Sequence, residues 1–417
     1  MKYIPSKRQL RFLDWEVGMF FHFGIRSFNP GHRDWDGIEM PPETFNPTQL
    51  DCDQWMKAAK TIGAKYAIMT CKHHDGFALW PTKYSPYSVA ASPWKDGKGD
   101  VVKEFTDACR RNGLKVGLYY SPAQWGSRAV EFKDGKEYDD YFINQISELL
   151  TGYGKIDYLW FDGCGSAGHE YDQKRIIPII RSLQKDLLIF GMWDPDTRWV
   201  GNEDGYACDP NPYVWTVNVF GEKKTMFIPA ECDCRLRRTW FYDHNAATIK
   251  SVDELMGMYE YSVGRGSNLL LNVGPDDRGL IPEADMKRLT EFRAEIDRRY
   301  GCPINFDPPV QESDNTYSVS LNPHNCTEIE LDNYMEECTA AILSEDVTKG
   351  QKVTSFKLYA HAPSLLPARD FLVCVAQGGT IGHKRICRFP AIRTCKFTLE
   401  VTTEKGAKAV IKDIKIY

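Results

Sequence analysis

The chain has 417 residues, of which 42% are hydrophobic and 26% are charged, and its formal net charge is −5 at pH 7. This is the composition of a globular protein with a sizeable core, and the length predicts two domains rather than one. Acidic and basic residues are interspersed without a basic tract, which argues against nucleic acid or an anionic membrane as a partner.

The N-terminal segment MKYIPSKRQLRFLDWE contains no apolar core of signal-peptide length. No later run of about 18 apolar residues could span a bilayer. We therefore expect a cytoplasmic protein, or a periplasmic or secreted one if a signal was trimmed from the sequence. The 13 cysteines are scattered without the repeated spacing of a zinc site, so we expect free, buried thiols.

The first buried strand is predicted at residues 18–25, an apolar run that ends in Gly/Pro/Asn-rich sequence. Helix and strand patterns then alternate, and each helical stretch is followed by a short run rich in β-branched and aromatic residues. Further strands are predicted in AKYAIMTCKH, KVGLYYSP, IDYLWFDG, LLIFGMW, MFIPAECD and NLLLNVGP. About seven ordered strands predict an α/β fold, a (β/α)8-like TIM barrel that is regular or irregular.

The pattern changes after Gly301 to short strand-like segments separated by turn residues, among them TYSVSL, SFKLYA and KFTLEV. We predict a barrel domain over residues 1–301, followed by a C-terminal all-β sandwich domain over residues 302–417. Since no low-complexity linker separates them, the two domains should pack directly against each other.

Carboxyl groups are predicted at the ends of barrel strands, where such barrels carry their functional groups. Asp162 ends the strand in LWFDG, beside a glycine that lets the backbone turn sharply. Glu231 ends the run FIPAE, where partial burial would raise its pKa and suit it to proton donation. Asp233 is an alternative to Glu231. A helix cap and a surface ion pair are the structural alternatives for Asp162 and Glu231. Two such carboxyl groups suit retaining glycoside hydrolysis, which needs a nucleophile and a proton donor.

Three histidines are predicted at the same end of the barrel: His22 after the first strand, and His73 and His74 after the second. Their ring nitrogens can donate to or accept from sugar hydroxyls. We expect no metal and no cofactor, because adjacent strand positions would direct His73 and His74 to opposite faces. The sequence has no nucleophile elbow, P-loop or strand-linked G-x-G-x-x-G, which weakens an esterase, NTPase or nicotinamide-enzyme interpretation.

The ordered motifs FFHFG at 20–24, KHHDGFALW at 72–80, LWFDG at 159–163 and LLLNVGP at 269–275 resemble those of the α-L-fucosidases of glycoside hydrolase family 29. The resemblance implies a barrel followed by a β-sandwich like a carbohydrate-binding module, with Asp162 as nucleophile. It also implies a set of substrate-binding residues: His22, Asp34, Trp35, His73, His74, Tyr120, Trp160 and Arg237. Tyr119 is the alternative to Tyr120, because side chains alternate along a strand.

The PAECD segment, followed by Arg237 and TWFY, resembles the branch of the family that acts on branched glycans. This resemblance favours Glu231 over Asp233 as acid/base and implies that Arg237 steadies the nucleophile. The stretch 201–225 departs from the family pattern and is predicted to form aglycone subsites, which leaves the linkage open.

We therefore expect a retaining exo-α-L-fucosidase that releases α-1,3/1,4-linked fucose from Lewis-type glycans. Its partner would be a fucosylated oligosaccharide or glycoconjugate. The alternatives are the same mechanism on other α-L-fucosides or on α-L-galactosides, or an inactive carbohydrate-binding protein. The sandwich is expected either to bind sugar or to support the barrel. The sequence gives no oligomeric state.

Overall fold

Eight parallel strands form a nearly closed barrel in the computed structural model, which describes residues 3–33, 35–125, 132, 135–322, 335–362 and 371–417. The barrel strands are β1 (Val17–Phe21), β2 (Tyr66–Lys72), β3 (Lys115–Tyr120), β4 (Tyr158–Phe161), β5 (Leu188–Phe190), β6 (Arg198–Trp199), β9 (Ala230–Arg235) and β10 (Asn268–Asn272). Their order in the sheet is β5-β4-β3-β2-β1-β10-β9-β6. The two edge strands are joined through a bridge between Phe190 and Thr197. The predicted barrel is confirmed.

The helices surround the barrel, and most begin at a residue that caps them. They are α1 (Lys7–Trp15), α2 (Cys52–Thr61), α3 (Val101–Arg111), α4 (Gly135–Gly152), α5 (Gln173–Leu183), α6 (Val252–Ser262) and α7 (Glu283–Tyr300). Ser6 with Gln9 and Ser251 with Glu254 form capping boxes, which satisfy backbone N–H groups at the first turns of α1 and α6. Among the described helices, none combines the length and apolar character needed to cross a membrane.

The stretch between β6 and β9 contains an antiparallel hairpin, β7 (Val214–Val219) and β8 (Glu222–Phe227). The predicted strand MFIPAECD therefore covers two elements, the end of β8 and the start of β9. The strand β6 was not predicted, because a strand of two residues produces no periodic pattern. The described cysteines are free, but the expectation that they are buried is only partly met, since Cys164 and Cys302 are exposed.

After α7 the chain forms two antiparallel sheets. Their strands are β11 (Val310–Ser313), β12 (Thr316–Ser320), β13 (Glu336–Glu345), β14 (Val353–Ala362), β15 (Phe371–Gly378), β16 (Arg385–Thr394), β17 (Lys396–Thr403) and β18 (Ile411–Ile416). One sheet has the order β11-β12-β17-β14-β15 and the other β16-β13-β18. Apolar side chains from both sheets form one core. The sandwich contacts the barrel directly, since Arg385 donates to Asp209 at 2.6 Å and the Ile386 N–H donates to the Gly264 carbonyl.

Candidate active site

A cleft of about 400 Å³ opens at the carboxyl ends of the barrel strands. Parallel barrels bring the loops that follow their strands together at this end. The titratable side chains that line the cleft are His22, His73, His74, Tyr119, Asp162, Cys164, Glu203 and Asp233. Its aromatic walls include Phe20, Trp160, Phe190, Trp199 and Trp240. The cleft thus combines carboxyl groups with aromatic faces.

Asp162 lies directly after β4 and is held by three donors. The Tyr119 hydroxyl donates to Oδ2 at 2.7 Å, the Cys164 N–H donates to Oδ1 at 2.9 Å, and Nε2 of His74 lies 3.4 Å from Oδ2. Burial raises the pKa of Asp162, but its contacts with His74, Cys164 and Tyr119 outweigh burial and keep that pKa below its ordinary value. The carboxylate is therefore ionised and oriented at neutral pH.

His74 is the cationic partner of Asp162. Burial lowers its pKa, but the bond to Asp162 dominates and raises the pKa of His74 to about 9. Its Nδ1 lies 2.6 Å from the Ser121 hydroxyl, which itself donates to the Ala123 carbonyl. A protonated ring can donate from both nitrogens, so this chain of hydrogen bonds fits an imidazolium. Trp35 stacks on the ring, with centroids 5.4 Å apart.

His22 and His73 complete the polar wall as neutral imidazoles. Burial lowers the pKa of His22 to about 3 and places the pKa of His73 well below its ordinary value. Nδ1 of His22 lies 2.8 Å from Oδ1 of Asn272, and the ring of His73 stacks on Tyr119 with an interplanar angle of 9°. Fixed neutral rings suit hydrogen bonding to sugar hydroxyls.

The expectation that His73 and His74 point apart is wrong. Both follow Lys72, the last residue of β2, so strand alternation no longer separates them. His73, His74 and Asp162 each offer one ligand atom, and these atoms lie within 4.8 Å of one another. A protonated His74 has no lone pair for a metal, which favours its role as a hydrogen-bond donor to Asp162.

The structure corrects the preference for Tyr120. Tyr119 lines the cleft, whereas the Tyr120 hydroxyl donates to Gln145 of α4 at 2.7 Å. The Tyr120 ring also lies 4.4 Å from Nζ of Lys72, outside the barrel wall. Successive side chains of β3 face opposite sides of the sheet, and the register places Tyr119 inside.

Glu231 does not line the cleft, contrary to the prediction. It is fully buried within the barrel and accepts hydrogen bonds from Tyr66, from Tyr158 at 3.2 Å and from Nε1 of Trp160 at 2.9 Å. Burial raises its pKa to about 7. Alternate side chains of β9 all point into the barrel, at increasing height, and Glu231 lies at the lowest level, beneath Trp160.

Asp233 is the next inward side chain of β9 and does line the cleft. It is almost fully buried and accepts from Nε1 of Trp199 at 2.7 Å. Burial, reinforced by the charges of Glu231 and Glu203, raises the pKa of Asp233 to about 8. Asp233 is therefore mostly protonated at neutral pH and sits deep under an indole ring.

Glu203 is a cleft carboxylate that the sequence analysis did not single out. It lies in the loop after β6, and 47% of its side chain is exposed. Its Oε2 is 3.6 Å from NH1 of Arg235 and accepts from Nε1 of Trp240 at 3.3 Å. The available signal was an acidic residue shortly after a barrel strand, but that strand is only two residues long.

Sequence comparisons identify the family. The family model described as α-L-fucosidase matches residues 39–294. The putative α-L-fucosidase 1 of Oryza sativa is 33% identical over 93% of this chain and 80% of its own length. The α-L-fucosidase 1 of Arabidopsis thaliana is also 33% identical, over 93% of this chain and 82% of its own length. The chain belongs to the α-L-fucosidases of glycoside hydrolase family 29.

Solved structures agree with this assignment. A putative α-L-fucosidase from Bacteroides thetaiotaomicron is 30% identical and superposes with a TM-score of 0.88, covering 100% of this chain and 98% of its own. A family 29 fucosidase from Ruminococcus gnavus in complex with fucose is 25% identical, with a TM-score of 0.85 and coverage of 100% and 94%. The protein is thus an α-L-fucosidase, a glycoside hydrolase.

In this fucosidase, Trp160 lies in the cleft as predicted, stacked on Phe190 at 4.1 Å. Arg237 does not steady the nucleophile. It is buried and bonds instead to Asp285 and Asp243, each at 3.0 Å. Trp35 reaches the site through its stacking on His74, and Asp34 lies outside the described residues.

Proposed function

We propose that this α-L-fucosidase is a retaining exo-enzyme in which Asp162 is the nucleophile and Glu203 is the acid/base. One observation carries the proposal: Asp162 is held ionised by His74, Tyr119 and the Cys164 N–H in the same cleft that Glu203 enters from its solvent side. A retaining glycosidase needs one ionised and one proton-donating carboxyl group on opposite sides of the glycosidic bond.

Glu203 suits the proton donor better than the other two carboxyl groups do. Glu231 is sealed beneath Trp160, and its two oxygens already accept three hydrogen bonds. Asp233 is covered by Trp199 and is only 4% exposed, so a departing sugar cannot be placed against it without moving the indole. Glu203 lies at the mouth, where the leaving group must pass. A bound sugar would also remove water from Glu203 and favour its protonated form.

The reaction then proceeds in two displacements. Glu203 donates its proton to the glycosidic oxygen while Oδ1 or Oδ2 of Asp162 attacks the anomeric carbon and the C–O bond breaks, which gives a covalent fucosyl-enzyme. Glu203, now a carboxylate, takes a proton from water as the water oxygen attacks the same carbon. Asp162 leaves, and fucose departs with its original configuration. The reacting carboxyl groups should lie about 5–5.5 Å apart in the substrate complex.

The apolar part of the cleft favours fucose over galactose. Phe20, Trp160 and Phe190 form a contiguous aromatic surface against which a methyl group can be buried. Fucose carries a methyl group at C5, where galactose carries a hydroxymethyl group, and burying an unpaired hydroxyl costs free energy. The ionised nucleophile with its three donors argues against a binding protein that has lost catalysis.

The preference for α-1,3/1,4 linkages on branched glycans is supported by the PAECD segment and by the aglycone side of the cleft. The Glu203 loop belongs to the stretch 201–225, which departs from the family pattern. The rings of Trp199 and Trp240, both in the cleft lining, flank Glu203 and offer faces on which aglycone sugars can stack.

The test compares release of fucose from a Lewis-type trisaccharide and from an activated aryl α-L-fucoside. Wild type is compared with Asp162→Ala, Glu203→Ala, Asp233→Ala and Glu231→Gln. With azide and the aryl substrate, Asp162→Ala should give the β-fucosyl azide and Glu203→Ala the α-fucosyl azide. An α-fucosyl azide from Asp233→Ala, with none from Glu203→Ala, would transfer the acid/base role to Asp233.

A further inference from the structure

A second cavity of about 490 Å³ adjoins the fucose cleft and shares His73 and Trp240 with it. Arginines dominate its lining: Arg26, Arg33, Arg235 and Arg238. We call it the arginine cavity. No cofactor or catalytic role assigned above accounts for this concentration of positive charge.

The positive charge of the arginine cavity is not neutralised within it. Of the described residues that line it, Asp243 is the one carboxylate, and it already bonds to Arg237 and Thr248. Arg33 and Arg238 are exposed, and within the described ranges neither has an ion pair with a carboxylate. These two guanidinium groups can bind an anion without first breaking an existing pair.

Arg235 connects the arginine cavity to the reacting bond. Its guanidinium lies 5.1 Å from the ring of Trp240 and 3.6 Å from Glu203, and its buried Nε has no hydrogen-bond partner among the described residues. If Glu203 protonates the glycosidic oxygen, the sugar beyond that oxygen lies on the Glu203 side of the cleft. Since Arg235 contacts Glu203 from the arginine cavity, the glycan attached to fucose would extend into it.

We propose that the arginine cavity binds an anionic substituent, a carboxylate or a sulfate ester, on the glycan that carries the fucose. This inference rests on the proposed function and names its substrate class. Guanidinium groups match both anions in shape, since two parallel N–H groups can meet two oxygens. Lysines would attract the same charge but not fix its orientation, and the described lining contains arginines and no lysine.

The experiment measures kcat/KM on three substrates: a neutral Lewis-type trisaccharide, its 3′-sialylated form and its 3′-sulfated form. Wild type is compared with Arg33→Gln, Arg238→Gln and the double variant. Arg11→Gln is the matched control, because Arg11 is an exposed arginine of α1, on the other side of β1 from the cleft. The wild type should prefer at least one anionic substrate. The double variant should lose about tenfold more on that substrate than on the neutral one.

Salt provides an independent check within the same assay. The preference for the anionic substrate should shrink as NaCl rises from about 0.05 to about 0.5 M, because screening weakens exposed charge pairs. A preference for one anionic substrate identifies the group as carboxylate or sulfate. Equal kcat/KM on neutral and anionic substrates, with the same loss in every variant, would overturn the arginine cavity and leave the fucosidase mechanism intact.

Binding separates the inference from catalysis. Sialylated and sulfated N-acetyllactosamine lack fucose, so their affinity for wild type, measured by titration calorimetry, does not depend on Asp162 or Glu203 chemistry. Binding that is weakened about tenfold in the double variant but not in Arg11→Gln supports the proposal even if the trisaccharide is not cleaved. Binding equal to that of neutral N-acetyllactosamine contradicts it.

Discussion

Tyr119 and Tyr120 are neighbours at the end of β3, yet their hydroxyl groups lie on opposite sides of the barrel wall. Tyr119 donates to the nucleophile Asp162, while Tyr120 donates to Gln145 of a surrounding helix. The two residues have the same chemistry and burial, so they form a natural pair for separating catalysis from stability.

Tyr119→Phe should lower kcat/KM on an aryl α-L-fucoside by about 10- to 100-fold, because it removes a hydrogen bond to a charged group that orients the nucleophile. Tyr120→Phe should keep activity within about twofold but lower the free energy of unfolding by about 1–2 kcal/mol, since it leaves Gln145 without its donor. Steady-state kinetics and urea unfolding measure both effects. Equal activity losses in the two variants would contradict the assignment of Tyr119 to the cleft.

The His74–Asp162 pair predicts a pH dependence of stability. The pKa of His74 rises from its ordinary 6.5 to about 9 in the folded protein, so the folded state binds this proton more tightly than the unfolded state. The stabilisation is complete below about pH 6.5 and is lost as pH rises through about 9. The unfolding free energy of wild type minus that of His74→Gln should therefore fall across this range. A difference that stays constant from pH 6 to pH 10 would show that the two residues are not paired as described.

Glu203 and Glu231 give a matched comparison between an accessible and a sealed glutamate. Glu203→Gln should lower kcat on the trisaccharide by about 10²–10⁴-fold, the usual contribution of general acid–base catalysis. Glu231→Gln should retain at least about a tenth of wild-type kcat, because a neutral amide oxygen can still accept from Trp160. A larger loss in Glu231→Gln than in Glu203→Gln would return the acid/base role to Glu231.

Glu231 also predicts a pH effect of its own. Burial raises its pKa to about 7 from an ordinary 4.5, so the stability that its protonated form contributes is full below about pH 4.5 and disappears as pH rises through about 7. Glu231→Gln should thus be more stable than wild type above pH 7, and this advantage should decline toward pH 5. Thermal unfolding at several pH values checks the sign.

Arg237 should matter for folding rather than for the chemical step. It is 4% exposed and holds the fully buried Asp285, so Arg237→Met leaves an uncompensated buried carboxylate and should cost about 3–5 kcal/mol. The variant's KM and kcat, measured below its unfolding temperature, should stay near those of wild type. A large loss of kcat in well-folded Arg237→Met would indicate a contact with the nucleophile after all.

The sequence predicted what strong local patterns encode. Buried strands such as β4 announce themselves as apolar runs, and a polar residue at the end of such a strand, like Asp162, is then placed at the functional end of the barrel. Depth along the barrel axis has no such signal. Alternation predicts that Glu231 and Asp233 both face inward, but which of them lies beneath Trp160 depends on the stagger of neighbouring strands.

The missed residue has a different cause. Glu203 follows β6, whose two residues are too few for a hydrophobic period, and the hairpin after it separates β6 from β9 along the chain. The prediction of an aglycone region over residues 201–225 covered Glu203 but gave it no role. Tyr119 and Tyr120 were both candidates, and only the register of β3 against β4 distinguishes them.

The incomplete closure of the barrel separates two tasks. The nucleophile Asp162 and its donors stand on β2, β3 and β4, deep in the hydrogen-bonded part of the sheet, whereas Glu203 follows β6 at the seam, where a bridge joins β5 to β6. Insertions or exchanges in the loop after β6 need not disturb the opposite wall. The enzyme is therefore built so that glycan preference can diversify by loop exchange while the attacking half of the machinery is inherited unchanged.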